Sequence, residues 1–368
     1  MEKAQINRSR LRQIYIIVSG GLNKTRKNVC YVKKSIILLL ILILAYSITV
    51  GNNSSVANAK PQERYSFAFK WGSLGLGNGQ FVRPHDVGFD SQGNVYVTDR
   101  DLNNIQKFTH DGKYLMQWGK GGTGDGEFNI PYSISFDSSG NIYITDRENS
   151  RIQKFDSNGT FLAKYGTDGK GNGQFHRPEE ARIEPHTGDI YVTDTYNSRV
   201  ERFDKNFNFI TQWGSNGTAD GQFNRPHSIG FDSQGRVYVD DLDRPGVQIF
   251  DKNGKFLAKW GSKGTGEGQF SVPEEHLRID SKDRVYIVDG SKNPRVQVFD
   301  TNGNFITSIG SGPCEILDQL KVFPAKMADY HDCDGKLFRP EHVNIDSSGN
   351  VYVVDRGNQR VEVFKPLK

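Results

Sequence analysis

Residues 94–108 read NVYVTDRDLNNIQKF, and three later stretches repeat them: NIYITDRENSRIQKF at 141–155, DIYVTDTYNSRVERF at 189–203 and NVYVVDRGNQRVEVF at 350–364. Each holds two short runs of alternating apolar and polar residues, separated by turn residues. Alternation with a period of two is the pattern of β-strands. Outward from this pair, the same neighbours return each time. Upstream lies a Phe (Phe81, Phe128, Phe175, Phe223, Phe270, Phe338), then a Pro two or three residues on, then an apolar run ending near an acid and a Gly, as in VGFDSQGN. Downstream lies a fourth run closed by Trp71-Gly72, Trp118-Gly119, Tyr165-Gly166, Trp213-Gly214, Trp260-Gly261 and Ile309-Gly310, which recur every 47 to 49 residues. Gln92-Gly93-Asn94, Ser139-Gly140-Asn141 and Ser348-Gly349-Asn350 are hairpin signals. A four-stranded antiparallel sheet of this size cannot bury both faces alone. Radial stacking of copies buries them, which predicts an all-β chain folded as a six-bladed β-propeller.

The ends of the repeat predict how the ring closes. The sixth unit stops at Val363-Phe364-Lys365 without a fourth strand, and the missing piece sits at the front, Tyr65–Gly72. The N-terminal strand is expected to complete the last blade, so that the propeller spans 64–366 and leaves no open sheet edge. One insertion breaks the rhythm. Phe270 and Phe338 lie 68 residues apart, and the surplus, at about 311–336, carries Cys314 and Cys333, a predicted disulfide pair on one rim.

The first 59 residues are of a different kind. Segment 1–34 holds nine of the 47 basic residues and one of the 43 acids, and 35–59 holds no charge. From Lys60 on there remain 38 basic and 42 acidic side chains, a net charge of −4. That balance weighs against a sequence-independent grip on nucleic acid. Ser35–Val50 (SIILLLILILAYSITV) follows Lys33-Lys34 and precedes Ala57-Asn58-Ala59. It reads either as a secretory signal with an A-x-A cleavage site or as an N-terminal hydrophobic helix that anchors the chain in a membrane. Both place Lys60 onward outside the cytoplasm. An exported location suits the predicted disulfide.

The four quoted strings resemble the NHL repeat, and the resemblance extends over all six units. It implies an NHL-type propeller, a fold used for protein-binding platforms, extracellular sensors, RNA-binding domains and one zinc enzyme, the peptidyl-hydroxyglycine α-amidating lyase. Fold alone therefore does not decide the function.

The repeat sorts structural from functional residues. Asp99, Asp146, Asp194, Asp241, Asp289 and Asp355 end the second strand of every unit and are expected to accept turn N–H groups. Arg151, Arg199, Arg295 and Arg360 are expected to pair within or between blades. The Gly-rich strings such as Gly75–Gly79 lead into a Phe-Pro loop and not a helix, so they are crossovers and not phosphate loops. The residue after each unit Pro varies: His85, Tyr132, Glu179, His227, Glu274 and Glu341. These six are expected to crown one mouth of the central channel as a binding site, joined by Asp86, Glu180, Glu275, His276 and His342. The crown reads mainly as a solvated rim of salt bridges, with Glu179 or Glu180 on Arg182 and Glu274 or Glu275 on Arg278. The competing reading is a divalent-cation site, zinc or calcium, on His227, His342 and Glu341. Resemblance to the amidating lyase would make Tyr196 the catalytic base beside such a metal. However, Tyr132 and Glu341 stand where that enzyme has its other two ligand histidines. The mouth is read as acidic, which disfavours RNA. The leading expectation is a monomeric extracytoplasmic propeller that binds a protein, peptide or glycan. A metal-dependent lyase-like enzyme is the alternative.

Overall fold

The computed structural model describes residues 63–270, 276–290, 294–310 and 333–367. They form six four-stranded antiparallel sheets. Blade 1 runs from an inner strand Pro84–Phe89 through Val95–Asp99 and Asn104–Phe108 to an outer strand Tyr114–Trp118. Blades 2 to 5 repeat this order, with inner strands Pro131–Phe136, Glu180–Ile183, Pro226–Phe231 and Leu277–Ile279. Blade 6 comprises Pro340–Ile345, Val351–Asp355 and Arg360–Pro366, and its outer strand is Tyr65–Trp71. The latch is as expected: Tyr65 pairs with Pro366, Phe67 with Phe364, Phe69 with Val363 and Trp71 with Val361.

The core lies between blades. Six clusters of buried side chains each join two neighbours; Phe81, Val87, Val95, Val97 and Phe108 of blade 1, for example, pack on Tyr352, Val354, Val361 and Val363 of blade 6. Second strands are buried along their whole length, whereas outer strands such as Tyr114–Trp118 alternate between half-buried and exposed residues. That gradient follows from the ring. Second strands are covered on both faces by adjacent blades, while outer strands meet water at the perimeter.

Two repeated devices hold the blades in register. The terminal Asp of the second strand clamps the loop leading into its own blade: Asp99 accepts from the Val82 and Arg83 N–H groups, Asp146 from Asn129, Asp194 from His176 and Asp355 from Phe338. The following Arg binds that Asp and reaches the glycine-rich crossover. Arg151 donates to Asp146 at 2.8 Å and to the carbonyls of Thr123, Gly124 and Glu127. Both expectations about these residues hold. The second device is aromatic. The ring of Trp71 closes over Gly112 of blade 1, where φ is +85° and an added Cβ would sit 2.8 Å from the indole. Gly159, Gly254 and Gly303 meet Trp118, Trp213 and Trp260 in the same way.

The proposed leader (1–34 and 35–59) and most of the 311–336 insertion lie outside the described residues, as does Cys314. Cys333 is buried, and its carbonyl accepts from Arg360. Among the described residues no helix is long and apolar enough to cross a membrane.

Candidate functional site

The inner strands of blades 1, 2, 4 and 6 begin with a bulge. In blade 1, Pro84 pairs with Asp99 but the next pair is Val87 with Val97. The two residues between, His85 and Asp86, leave the ladder and turn their side chains toward the axis. The same slip occurs in blades 2 and 4. The crown residues therefore come together around the channel. His85 packs on Tyr132 with ring centres 3.7 Å apart and places Nε2 3.4 Å from the Glu341 carboxylate. Tyr132 Oη lies 3.4 Å from His227 Nε2, which is 3.6 Å from Glu179. Glu274 and Glu275 lie outside the described residues.

The crown is not the solvated rim expected from the sequence. His85, Tyr132, Glu179, His227 and Glu341 are all buried, between 0% and 6% exposed. What covers them was missed. Arg100, Arg147 and Arg356 follow the second-strand Asp in blades 1, 2 and 6, and they fold over the crown. Arg147 donates to Glu179 at 3.0 Å, Arg356 lies 3.0 Å from Glu341, and Arg100 stacks 4.7 Å above the Tyr132 ring. Arg177 binds Glu148 and Arg225 binds Asp243 farther out. Among the described residues the mouth is thus charge-balanced and not acidic. The signal was available, since these three units read TDR or VDR where blade 3 reads TDT.

A second layer lies beneath. Pairing of Leu277 with Ile287 matches that of Ile229 with Val239, so blade 5 carries one extra residue and His276 stands level with Ser228. Asp86, Glu180 and Ser228 accept from the inner-strand N–H of the next blade, at Ile134, Ile229 and Leu277 respectively. Arg278, whose expected partners Glu274 and Glu275 lie outside the described residues, spans this layer. It sits 2.9 Å from Glu180, 3.5 Å from Asp86 and 2.5 Å from His342 Nε2. Glu179 pairs with Arg147 rather than Arg182, and Glu180 is 3.9 Å from Arg182.

His276 joins the layers. Its ring centre is 4.1 Å from that of His227, 4.4 Å from His342 and 5.2 Å from His85. Among the described residues neither of its ring nitrogens has a hydrogen-bond partner. Burial holds the imidazoles of His85, His276 and His342 well below their ordinary range, with nearby arginines and the other imidazoles adding to it. Burial also pushes the carboxyls of Asp86 and Glu179 up. This is a packed column of imidazoles in which burial disfavours the charged form of His85, His276 and His342. Among the described residues no three His, Cys, Asp or Glu side chains are placed to hold one metal ion. The zinc or calcium site on His227, His342 and Glu341 does not fit this donor set, because His342 is held by Arg278 and Glu341 by Arg356.

Tyr196, the residue matched to the lyase base, stands at the perimeter of the same face and is 39% exposed. Arg147 donates to its hydroxyl at 3.2 Å, and the guanidinium groups of Arg147 and Arg177 lie 5.4 and 5.3 Å from its ring centre.

This architecture is that of a six-bladed β-propeller, and its first two blades carry NHL repeats. The NHL repeat model matches residues 81–108 and 128–155. A 35-residue segment is 54% identical to the E3 ubiquitin-protein ligase TRIM71 of Bos taurus, covering 10% of this chain and 4% of that protein. Solved structures share the fold over most of the chain. Virginiamycin B lyase from Staphylococcus aureus, in a structure with quinupristin, matches at a TM-score of 0.54 and 14% identity, over 82% of this chain and 99% of its own. A gluconolactonase from Xanthomonas campestris matches at 0.57 and 10%, over 86% and 93%. A Bacteroides thetaiotaomicron protein of unknown function matches at 0.60 and 14%, over 83% and 76%. At these identities the likeness is one of fold.

Proposed function

We propose that this chain is an extracytoplasmic NHL propeller that docks a protein or peptide on the face carrying Tyr196. The observation that carries the reading is an exposed tyrosine framed by Arg147 and Arg177 at the edge of an arginine-covered channel mouth. Tyr and Arg are the residues most enriched at interface hot spots, because a rigid amphipathic ring and a planar guanidinium bury large area at small entropic cost. The alternation of Arg177, Glu148, Arg225 and Asp243 around it suits a partner of mixed charge. A lyase-like chemistry is not favoured, since it needs a metal beside Tyr196 and among the described residues the crown has no set of ligands for one. The basic, apolar leader supports export.

Selection of a random peptide display library on the purified propeller tests the docking reading. Peptides enriched on the wild-type protein are expected to lose about tenfold or more in affinity, by calorimetry, to Tyr196→Ala. Equal binding to Tyr196→Ala and Arg177→Ala would rule this face out.

A further inference from the structure

The opposite end of the channel holds a different site. There the inner strands run out to their turns and enclose a cavity of about 260 Å3. Its wall is a ring of half-buried apolar side chains, one from each of five blades: Phe89, Phe136, Ile183, Phe231 and Ile279. Four of the six blades carry a small or amide residue at the axial position above that ring. Gly88, Ser135, Gly230 and Asn344 stand where blade 3 has Arg182 and blade 5 has Arg278.

The two arginines are unlike. Arg278 is 1% exposed, and its two terminal nitrogens are engaged by Glu180, Asp86, His342 and the Leu277 carbonyl. Arg182 lines the cavity with its side chain 22% exposed. Among the described residues its guanidinium donates no hydrogen bond, and its one ion pair is to Glu180 at 3.9 Å, an acid already held by Arg278. Two carboxylates, Asp86 and Glu180, serve two guanidinium groups; Arg278 takes the short contact with Glu180 and lies 3.5 Å from Asp86, which His342 also holds at 2.8 Å. Burial and the neighbouring Arg278 push Arg182 down to about 10, as expected of a cation short of counter-charge. The hydroxyl of Ser135 and the amide of Asn344 are committed to the carbonyls of Ala181 and Val87. Arg182 therefore presents an open charged donor in this cavity, a planar fork above an apolar ring.

We propose that this cavity binds a small monocarboxylate with an apolar or aromatic body. The acid would be held bidentately by Arg182, with the body against the phenylalanine ring. The fork matches the two oxygens of a carboxylate in one plane. One under-compensated cation, with Asp86 and Glu180 close behind it, suits one negative charge and disfavours a phosphate dianion. The volume lies just below the usual range for ligand pockets, about 300 Å3 and upward, so the ligand is of metabolite size and not a peptide.

The test uses the purified full chain at pH 8 and three probes of equal bulk: 3-phenylpropionate, 3-phenylpropan-1-ol and phenyl phosphate, titrated by calorimetry. Saturable binding of 3-phenylpropionate is expected, about tenfold or more tighter than the alcohol, since a charge-assisted fork is lost in the alcohol. Arg182→Gln should abolish that discrimination, and Tyr196→Ala, on the opposite face, should leave it intact. Should Arg182→Gln fail to fold, as judged by circular dichroism, Arg182→Lys serves; it should keep the preference for acid over alcohol but bind more weakly. No binding of 3-phenylpropionate, equal binding of the alcohol, equal or tighter binding of phenyl phosphate, or unchanged discrimination in Arg182→Gln would each overturn the proposal.

Discussion

Position 201, like Glu362 in blade 6, differs from its counterparts in blades 1, 2, 4 and 5 in a way only contacts explain. In blades 1, 2, 4 and 5 the third strand carries Gln106, Gln153, Gln248 and Gln297. Each accepts from a crossover glycine N–H and donates to a crossover carbonyl, as Gln153 does with Gly126 at 2.9 Å and Glu127 at 2.7 Å. Blade 3 has Glu201, which is fully buried and accepts from Gly173 at 2.9 Å, with Arg199 2.5 Å away. Burial raises its carboxyl from 4.5 to about 7, with Asp194 adding to the shift against Gly173 and Arg199. The folded chain therefore keeps a proton that the unfolded chain releases. This contribution to stability is full below pH 4.5 and is lost as pH rises to about 7. Glu201→Gln removes that loss. At pH 8 it is expected to stabilise by about 1–3 kcal/mol, and at pH 4 to change little. Urea denaturation at the two pH values checks this; equal effects at both would contradict the assignment. The Gln/Glu exchange is visible in the strings RIQKF and RVERF, but not that the site is dry. Burial is set by the neighbouring crossover, which is remote from the strand in the string.

Between elements, blade 3 departs from its neighbours in a compensated pair. Where other blades place Gly112, Gly159, Gly254 and Gly303 beneath a tryptophan, it has Phe207 at φ +65°. The partner there is Tyr165 instead of Trp, and the rings stack at 3.9 Å with a 7° interplanar angle. Two smaller rings fill the space that an indole over a bare glycine fills elsewhere. Tyr165→Trp alone is expected to clash with Phe207, and Phe207→Gly alone to leave a void, each costing about 1–3 kcal/mol. The double variant recreates the arrangement of the other blades. It should recover most of that loss, with a coupling of about 1 kcal/mol or more in the cycle of melting free energies. Additive losses would show that the rings do not depend on each other. Both departures were legible as breaks in the repeat, Tyr165-Gly166 among the Trp-Gly pairs for one. That the two breaks answer each other was not, since 42 residues and a blade boundary separate them.

For the molecule as a whole, closure rests on one strand. Tyr65–Trp71 supplies the fourth strand of blade 6 and covers Val361, Val363 and Phe364. A chain beginning at Gly72 leaves that sheet with an open edge and an uncovered apolar face. It is expected to melt more than about 10 °C below the intact propeller and to associate. Thermal melts with light scattering check this; an unchanged, monomeric melt would mean that the latch is dispensable. Ring size and closure were readable because a repeat writes the same strand pattern six times and shows by its ends what is missing. The crown was readable as six positions, because a register repeats with the blade. Its character was not. Blade counting placed His85, Tyr132, Glu179, His227 and Glu341 around one axis, but only packing laid Arg100, Arg147 and Arg356 over them and so made a buried, charge-balanced column from an expected acidic rim. The extra residue in blade 5 shows as a longer spacing from Pro273 to Asp280, but that it puts His276 beside three other imidazoles is decided by packing. The amino-acid sequence alone determined the six blades and their latch, since strand periodicity and local turns are short-range properties. Tertiary structure alone decided which charges meet, which histidines stay neutral and where Arg182 is left without a full partner, since solvation and ion pairing depend on neighbours brought together from different blades.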